Sequence, residues 1–212
     1  MALPQAKLDT TEARLAHLSL PEGTGWANEA RNDALSRLNA MGLPGPRDEY
    51  WRFTRPDALN AATAPGAAVF DAKETPLFSE IDRLRIVFRD GVFDAEQSDD
   101  LSLENLEIER LADATQKDIH WAKDLYGVLE ARGQNPVMRP FAALNTAFAT
   151  DGVVIRATGK VSRPVSLVYL HENETSDAQS KADSIETISA PPEQQQQSQQ
   201  QPSRDLDDEI PF

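Results

Sequence analysis

Val165-Ser166-Leu167-Val168-Tyr169-Leu170 is the stretch on which the fold turns. Side chains alternate across a strand, so Val165, Leu167 and Tyr169 share one face while Val168 and Leu170 share the other. A strand apolar on both faces calls for cover on both sides. His171 closes the segment, and from Glu172 onward leucine, isoleucine, valine and phenylalanine become sparse. Acidic residues, serine and glutamine take their place, most plainly in Gln194-Gln195-Gln196-Gln197-Ser198-Gln199-Gln200-Gln201. Such a composition cannot offset an ordering entropy of roughly 1 to 2 kcal/mol per residue, so residues 172–212 are expected to be disordered and to leave the strand uncovered.

Upstream of that strand, Gly159-Lys160 joins it to a shorter one, Val153-Val154-Ile155. Before these, Pro140 opens a predicted helix with Phe141, Leu144, Ala147 and Phe148 inward and Asp151-Gly152 as its stop. A helix from Trp121 to Ala131, with Trp121, Ala122, Leu125, Val128 and Leu129 on one face, ends at Gly133. A strand is expected over Leu106 to Arg110. Leu84, Ile86 and Phe88 alternate with Arg85 and Arg89, and Asp90-Gly91 turns the chain into Val92-Phe93, which together predict a hairpin.

Toward the N-terminus, Thr10 or Thr11 is the expected cap of a short helix reaching Leu18, stopped by Pro21 and Gly23. The next helix carries a stripe of Trp26, Ala27, Ala30, Ala34, Leu35, Leu38 and Met41, with Glu29, Arg31, Asn32, Asp33 and Arg37 elsewhere. Gly42 is its expected stop, with Leu43 folding back. The aromatic run Tyr50-Trp51-Arg52-Phe53 that follows reads as an anchor rather than a flexible loop. The expected class is α+β: an N-terminal helical region with a small hairpin, then sheet, then a disordered tail.

The whole chain is 212 residues with a net charge of -14, which disfavours nucleic acid and anionic membranes as partners. It contains no cysteine, so disulfides, thiolate nucleophiles and cysteinyl cluster ligation are excluded, and no cofactor is expected on this chain alone. No apolar run approaches the ~20 residues of a membrane span, and a cytoplasmic location is expected. His17, His120 and His171 lack metal-ligand spacing. Gly23-Thr24-Gly25 follows no strand and reads as the turn leading into a helix. Asp48-Glu49 reads as ion-paired with Arg47 and Arg52 rather than as an acid/base pair. With no nucleophile or phosphate motif present, no enzyme is expected.

Two segments resemble a known family. Gly42-Leu43-Pro44-Gly45-Pro46-Arg47-Asp48-Glu49-Tyr50-Trp51-Arg52-Phe53-Thr54, behind the helix holding Ala34, Leu35 and Leu38, is similar to the N-terminal helical region of SufD, a scaffold subunit of bacterial iron-sulfur cluster assembly. Pro140-Phe141-Ala142-Ala143-Leu144-Asn145-Thr146-Ala147-Phe148, then Asp151 to Ile155 and Arg163 to Tyr169, resembles the same family's approach to its β-helix. The resemblance covers residues 10–171. It implies a noncatalytic region over 1–137, the start of a truncated β-helix over 138–171, and SufB- and SufC-like partners. The family's later rungs and its ATPase-docking region would lie past residue 171, so no cluster-site residue carries over. Rungs left alone expose edges that invite pairing with another chain.

The C-terminus carries a second resemblance. After a Gln/Ser/Pro-rich linker over 172–204, the tip 205–212 ends Asp207-Asp208-Glu209-Ile210-Pro211-Phe212, similar to the acidic tip of bacterial single-stranded-DNA-binding proteins. A terminal Phe212 ring can fill an apolar pocket while its carboxylate meets an arginine and the acidic run meets a basic rim. This implies a rival role, docking on DNA-maintenance enzymes, although the DNA-binding groove of that family has no counterpart here.

Overall fold

The computed structural model describes residues 3–51, 53–63 and 78–170, which form an α+β fold. The linker 172–204 and the tip 205–212 lie outside the described residues.

Helix α1, Gln5–Leu15, starts directly after Pro4 and not at Thr10 or Thr11. Those threonines sit mid-helix, their hydroxyls donating to the carbonyls of Ala6 at 2.8 Å and Lys7 at 2.7 Å. Thr11 Oγ1 also accepts the Leu43 N–H at 2.9 Å, tying α1 to the chain beyond the next helix. That helix, α2, spans Gly25–Met41 and buries Trp26, Ala27, Ala34, Leu38 and Met41 as its spacing predicts. Arg31 is the exception: assigned to the polar side by residue type, it is 1% exposed. Gly42 then takes φ +65°, its N–H meets the Leu38 carbonyl at 2.7 Å, and Leu43 folds back into the core.

Helix α6, Pro140–Phe148, lies on α2. Ala143 and Ala147 are fully buried and keep the two backbones close, so Leu38, Met41 and Leu43 pack on Ala143, flanked by Leu15, Leu35, Phe141 and Leu144. Each large apolar side chain buried there contributes roughly 1.5–3 kcal/mol. The intervening helices are short: α3 Asp57–Asn60, α4 Leu111–Ala114 and α5 Val128–Gly133.

The predicted helix over Trp121 to Ala131 is instead two pieces. A 3-10 turn covers Trp121–Asp124, Gly127 takes φ +74°, and α5 begins only at Val128. The break lets the Tyr126 hydroxyl donate to the Thr146 carbonyl at 2.6 Å. It also rotates the second piece, so Leu129, predicted inward, is 46% exposed, while Glu130 is buried. There its carboxylate accepts from Arg37 Nε at 3.2 Å and Nη2 at 2.5 Å.

The strands make two sheets. In the first, β1 (Leu84–Arg89) pairs antiparallel with β2 (Val92–Phe93) through a turn with Asp90 at φ +50° and Gly91 at φ +78°, as the hairpin reading expects. The same β1 pairs parallel and in register with β5 (Val165–Leu170). In the second sheet, β3 (Leu106–Arg110) pairs antiparallel with β4 (Val153–Ala157). The last two strands, adjacent in sequence, therefore belong to different sheets. Leu84, Ile86 and Phe88 meet Ile108 and Val153 between the sheets, while Val154 points the other way, toward Trp26 and Ala122. The β3–β4 pair thus lies between the helices and the three-stranded sheet.

Candidate interaction surface

The three-stranded sheet has two edges of different construction. On the β2 side only two residues are paired as strand, and the chain then runs back along β1 as an irregular segment. Asp94 N–H donates to the Val87 carbonyl at 2.9 Å and Asp99 N–H to the Arg85 carbonyl at 2.8 Å. Ser98 Oγ accepts the Val87 N–H at 2.9 Å and Asp99 Oδ2 the Arg85 N–H at 2.7 Å. Side-chain oxygens here replace the acceptors of a strand and close this edge. The Asp94 carboxyl, which accepts the N–H groups of Gln97 and Glu96 and pairs with Arg89, is held below the usual carboxylate range.

Among the described residues, no strand pairs with the outer side of β5. Leu84 N–H reaches the Pro164 carbonyl at 2.9 Å and Asp90 N–H the Leu170 carbonyl at 2.8 Å, so the even-numbered residues turn their backbone toward β1. By alternation, the N–H and C=O groups of Val165, Leu167 and Tyr169 point away from it, and no strand among the described residues receives them. Every residue of β5 is half-buried. Tyr169 stacks on Phe88 with centroids 5.5 Å apart, and burial pushes its phenol up. On one face Val165, Leu167 and Tyr169 pack with Leu84, Ile86 and Phe88, and on the other face of the sheet Val87 of β1 is buried as well.

In the aromatic connection after α2, Trp51 packs against the helical layer. Trp51, in a 3-10 turn over Glu49–Trp51, packs edge-on against Phe141 of α6 at 5.2 Å, whereas Tyr50 and Phe53 are 68% and 91% exposed. Asp48 pairs with Lys7 at 2.7 Å, not with the neighbouring Arg47. Partial burial raises its carboxyl, but the Lys7 hydrogen bond and charge and the Gly45 N–H outweigh that and hold it below the ordinary value.

One histidine occupies a polar corner invisible to spacing rules. His120 Nδ1 accepts the Ala122 N–H at 3.1 Å, which places the proton of the neutral ring on Nε2, facing Glu109 Oε2 at 3.2 Å. Glu109 also meets Lys117 at 2.6 Å, and Trp26 stacks on the imidazole with its indole N–H on the Lys117 carbonyl at 2.7 Å. Burial raises the Glu109 carboxyl, and Lys117 and His120 more than reverse this. Both imidazole nitrogens are committed to structural partners, so the corner joins α2 to β3. Among the described residues no group of three His, Asp or Glu side chains is placed to hold a metal ion, and no helix is long and apolar enough to cross a membrane.

The predicted docking residues Asp207, Asp208, Glu209, Ile210, Pro211 and Phe212 lie outside the described residues. No protein-family model matches this chain, and no curated protein matches it.

Proposed function

We propose that this chain is a noncatalytic assembly subunit of iron-sulfur cluster biogenesis, with a SufD-like helical region over 1–137 and the opening of a β-helix over 138–171. The supporting observation is that the two resembling segments, far apart in sequence, pack as one unit: Leu43 meets Ala143 in the helical core and Trp51 meets Phe141. The parallel, in-register pairing of β5 with β1 is the kind of stacking a solenoid propagates, while the antiparallel β3–β4 pair stands outside that pattern. In this reading the chain positions SufB- and SufC-like partners, and the cluster is cargo formed on their shared surface. Tagged chain lacking residues 172–212 should retain those partners in copurification; loss of both would refute the proposal.

A second reading rests on the sequence of the tip. An acidic run closing in Ile210-Pro211-Phe212 has the order of a docking peptide, and it assigns the chain to recruiting DNA-maintenance enzymes. Deleting Phe212 alone should then cost several kcal/mol of binding to a helicase or exonuclease that reads such tips, roughly a hot-spot loss. Equal binding by both forms would dismiss it.

A further inference from the structure

We propose that Met138 is an oxidation site: in the folded chain a peroxide-class oxidant converts its thioether to the sulfoxide while Met41 is spared, and the mouth of an aromatic cavity turns polar. The inference stands on burial and cavity lining and does not depend on the scaffold reading. The chain has no cysteine and three methionines, so thioethers are its only sulfur chemistry. Met1 lies outside the described residues, and the other two differ sharply: Met138 is 56% exposed and Met41 8%.

Both residues line one cavity of about 230 Å³, together with Tyr50 and Trp51. Met41 belongs at the same time to the helical core, where it packs with Leu38, Leu43 and Ala143. Met138 lies on the connection between α5 and α6, which Gln134 braces: its Oε1 accepts the Arg139 N–H at 2.7 Å, and its Nε2 donates to the Glu130 carboxylate at 2.5 Å. The exposed thioether is therefore carried to the cavity mouth by an anchored stretch of backbone, and the buried one is reached only through the core.

Access decides which sulfur reacts. A thioether lone pair attacks one oxygen of the peroxide, the O–O bond breaks, that oxygen stays on sulfur as the sulfoxide, and the other departs with the proton as water or an alcohol. Sulfur loses two electrons and the peroxide gains them. At Met138 the added oxygen enters surface already in contact with water, so the fold is undisturbed. At Met41 it would be a polar group inside the helical core, which burial opposes. With no thiol in the chain to reverse the step, return to the thioether requires a separate reductase that draws two electrons from an external dithiol and releases water.

Treatment of the full chain with hydrogen peroxide at neutral pH, followed by peptide mass mapping, tests this. One oxygen should appear on Met138 at least about tenfold faster than on Met41, and the two should react alike in urea-unfolded chain. Circular dichroism should stay constant while Met138 reacts, and tryptophan emission should shift as the cavity beside Trp51 becomes polar. Met138→Leu, with an unchanged native spectrum, should abolish that shift, as should Trp51→Phe, and a dithiol-driven methionine sulfoxide reductase should restore the original emission. Equal rates for the two methionines in the folded chain, a Met138 that reacts only after unfolding, or an emission unmoved by its oxidation would overturn the proposal.

Discussion

Arg31 gives α2 its fixed position. Its Nη1 donates to the carbonyls of Pro21 at 3.2 Å and Glu22 at 3.3 Å, and its Nη2 to that of Ala149 at 3.3 Å, which binds the turn before α2 and the end of α6 to one guanidinium. Arg31→Met keeps much of the volume but strands those carbonyls, and about 3 kcal/mol of stability should be lost in urea unfolding. An unchanged midpoint would deny the clamp. Residue type hid this role, yet spacing contained it: Ala27, Arg31, Ala34 and Leu38 follow the helical stripe, and position should have outweighed polarity. Glu130 was hidden similarly, because its burial depends on the break at Gly127. Asp48 and Glu109 contribute to the pH response, together with the more exposed Asp94 and Asp100, whose carboxyls are lowered by backbone N–H groups. Their folded values lie below the ordinary carboxylate range, so the stability they add is complete above the unfolded value and is lost as pH falls through the folded one. Thermal melts should therefore hold steady down to about pH 5 and decline below about pH 4, and less so in Lys7→Met, which frees Asp48 from its partner.

Among the elements, those with local punctuation were legible. Asp90-Gly91 announced the hairpin, Pro140 opened α6, and Gly42 ended α2. The Gly42 stop has a geometric reason: at φ +65° a Cβ would be strained and would also lie 3.3 Å from Leu3 Cδ1. Gly42→Ala should cost about 1–3 kcal/mol in chemical unfolding, and a neutral result would contradict the backbone assignment. The parallel partner of β1 was not legible, because a pairing between Leu84 and Val165 leaves no turn between the strands to record it. The same limit applies to the closed edge. Ser98 and Asp99 look like ordinary loop residues until their oxygens are seen on the β1 amides. The helix expected over Trp121 to Ala131 is broken because Gly127, inside the segment, takes a left-handed conformation.

For the molecule as a whole, the helical layer, the β3–β4 pair and the three-stranded sheet share buried contacts through Trp26, Val154 and Ile108. The α+β class was legible in the alternation and stripe patterns, while the candidate site was legible only as a strand apolar on both faces. Which edge lacks a strand partner among the described residues follows from long-range pairing and could be known only from the assembled sheet. Since the packing of Leu43 on Ala143 and of Trp51 on Phe141 supports the proposed scaffold role, the decisive measurement is binding to SufB- and SufC-like subunits. Isothermal titration of the full chain and of the chain ending at His171 against each purified subunit should give the same micromolar or tighter affinity for at least one of them. No heat of binding from either form, or binding that vanishes with residues 172–212, would contradict the account.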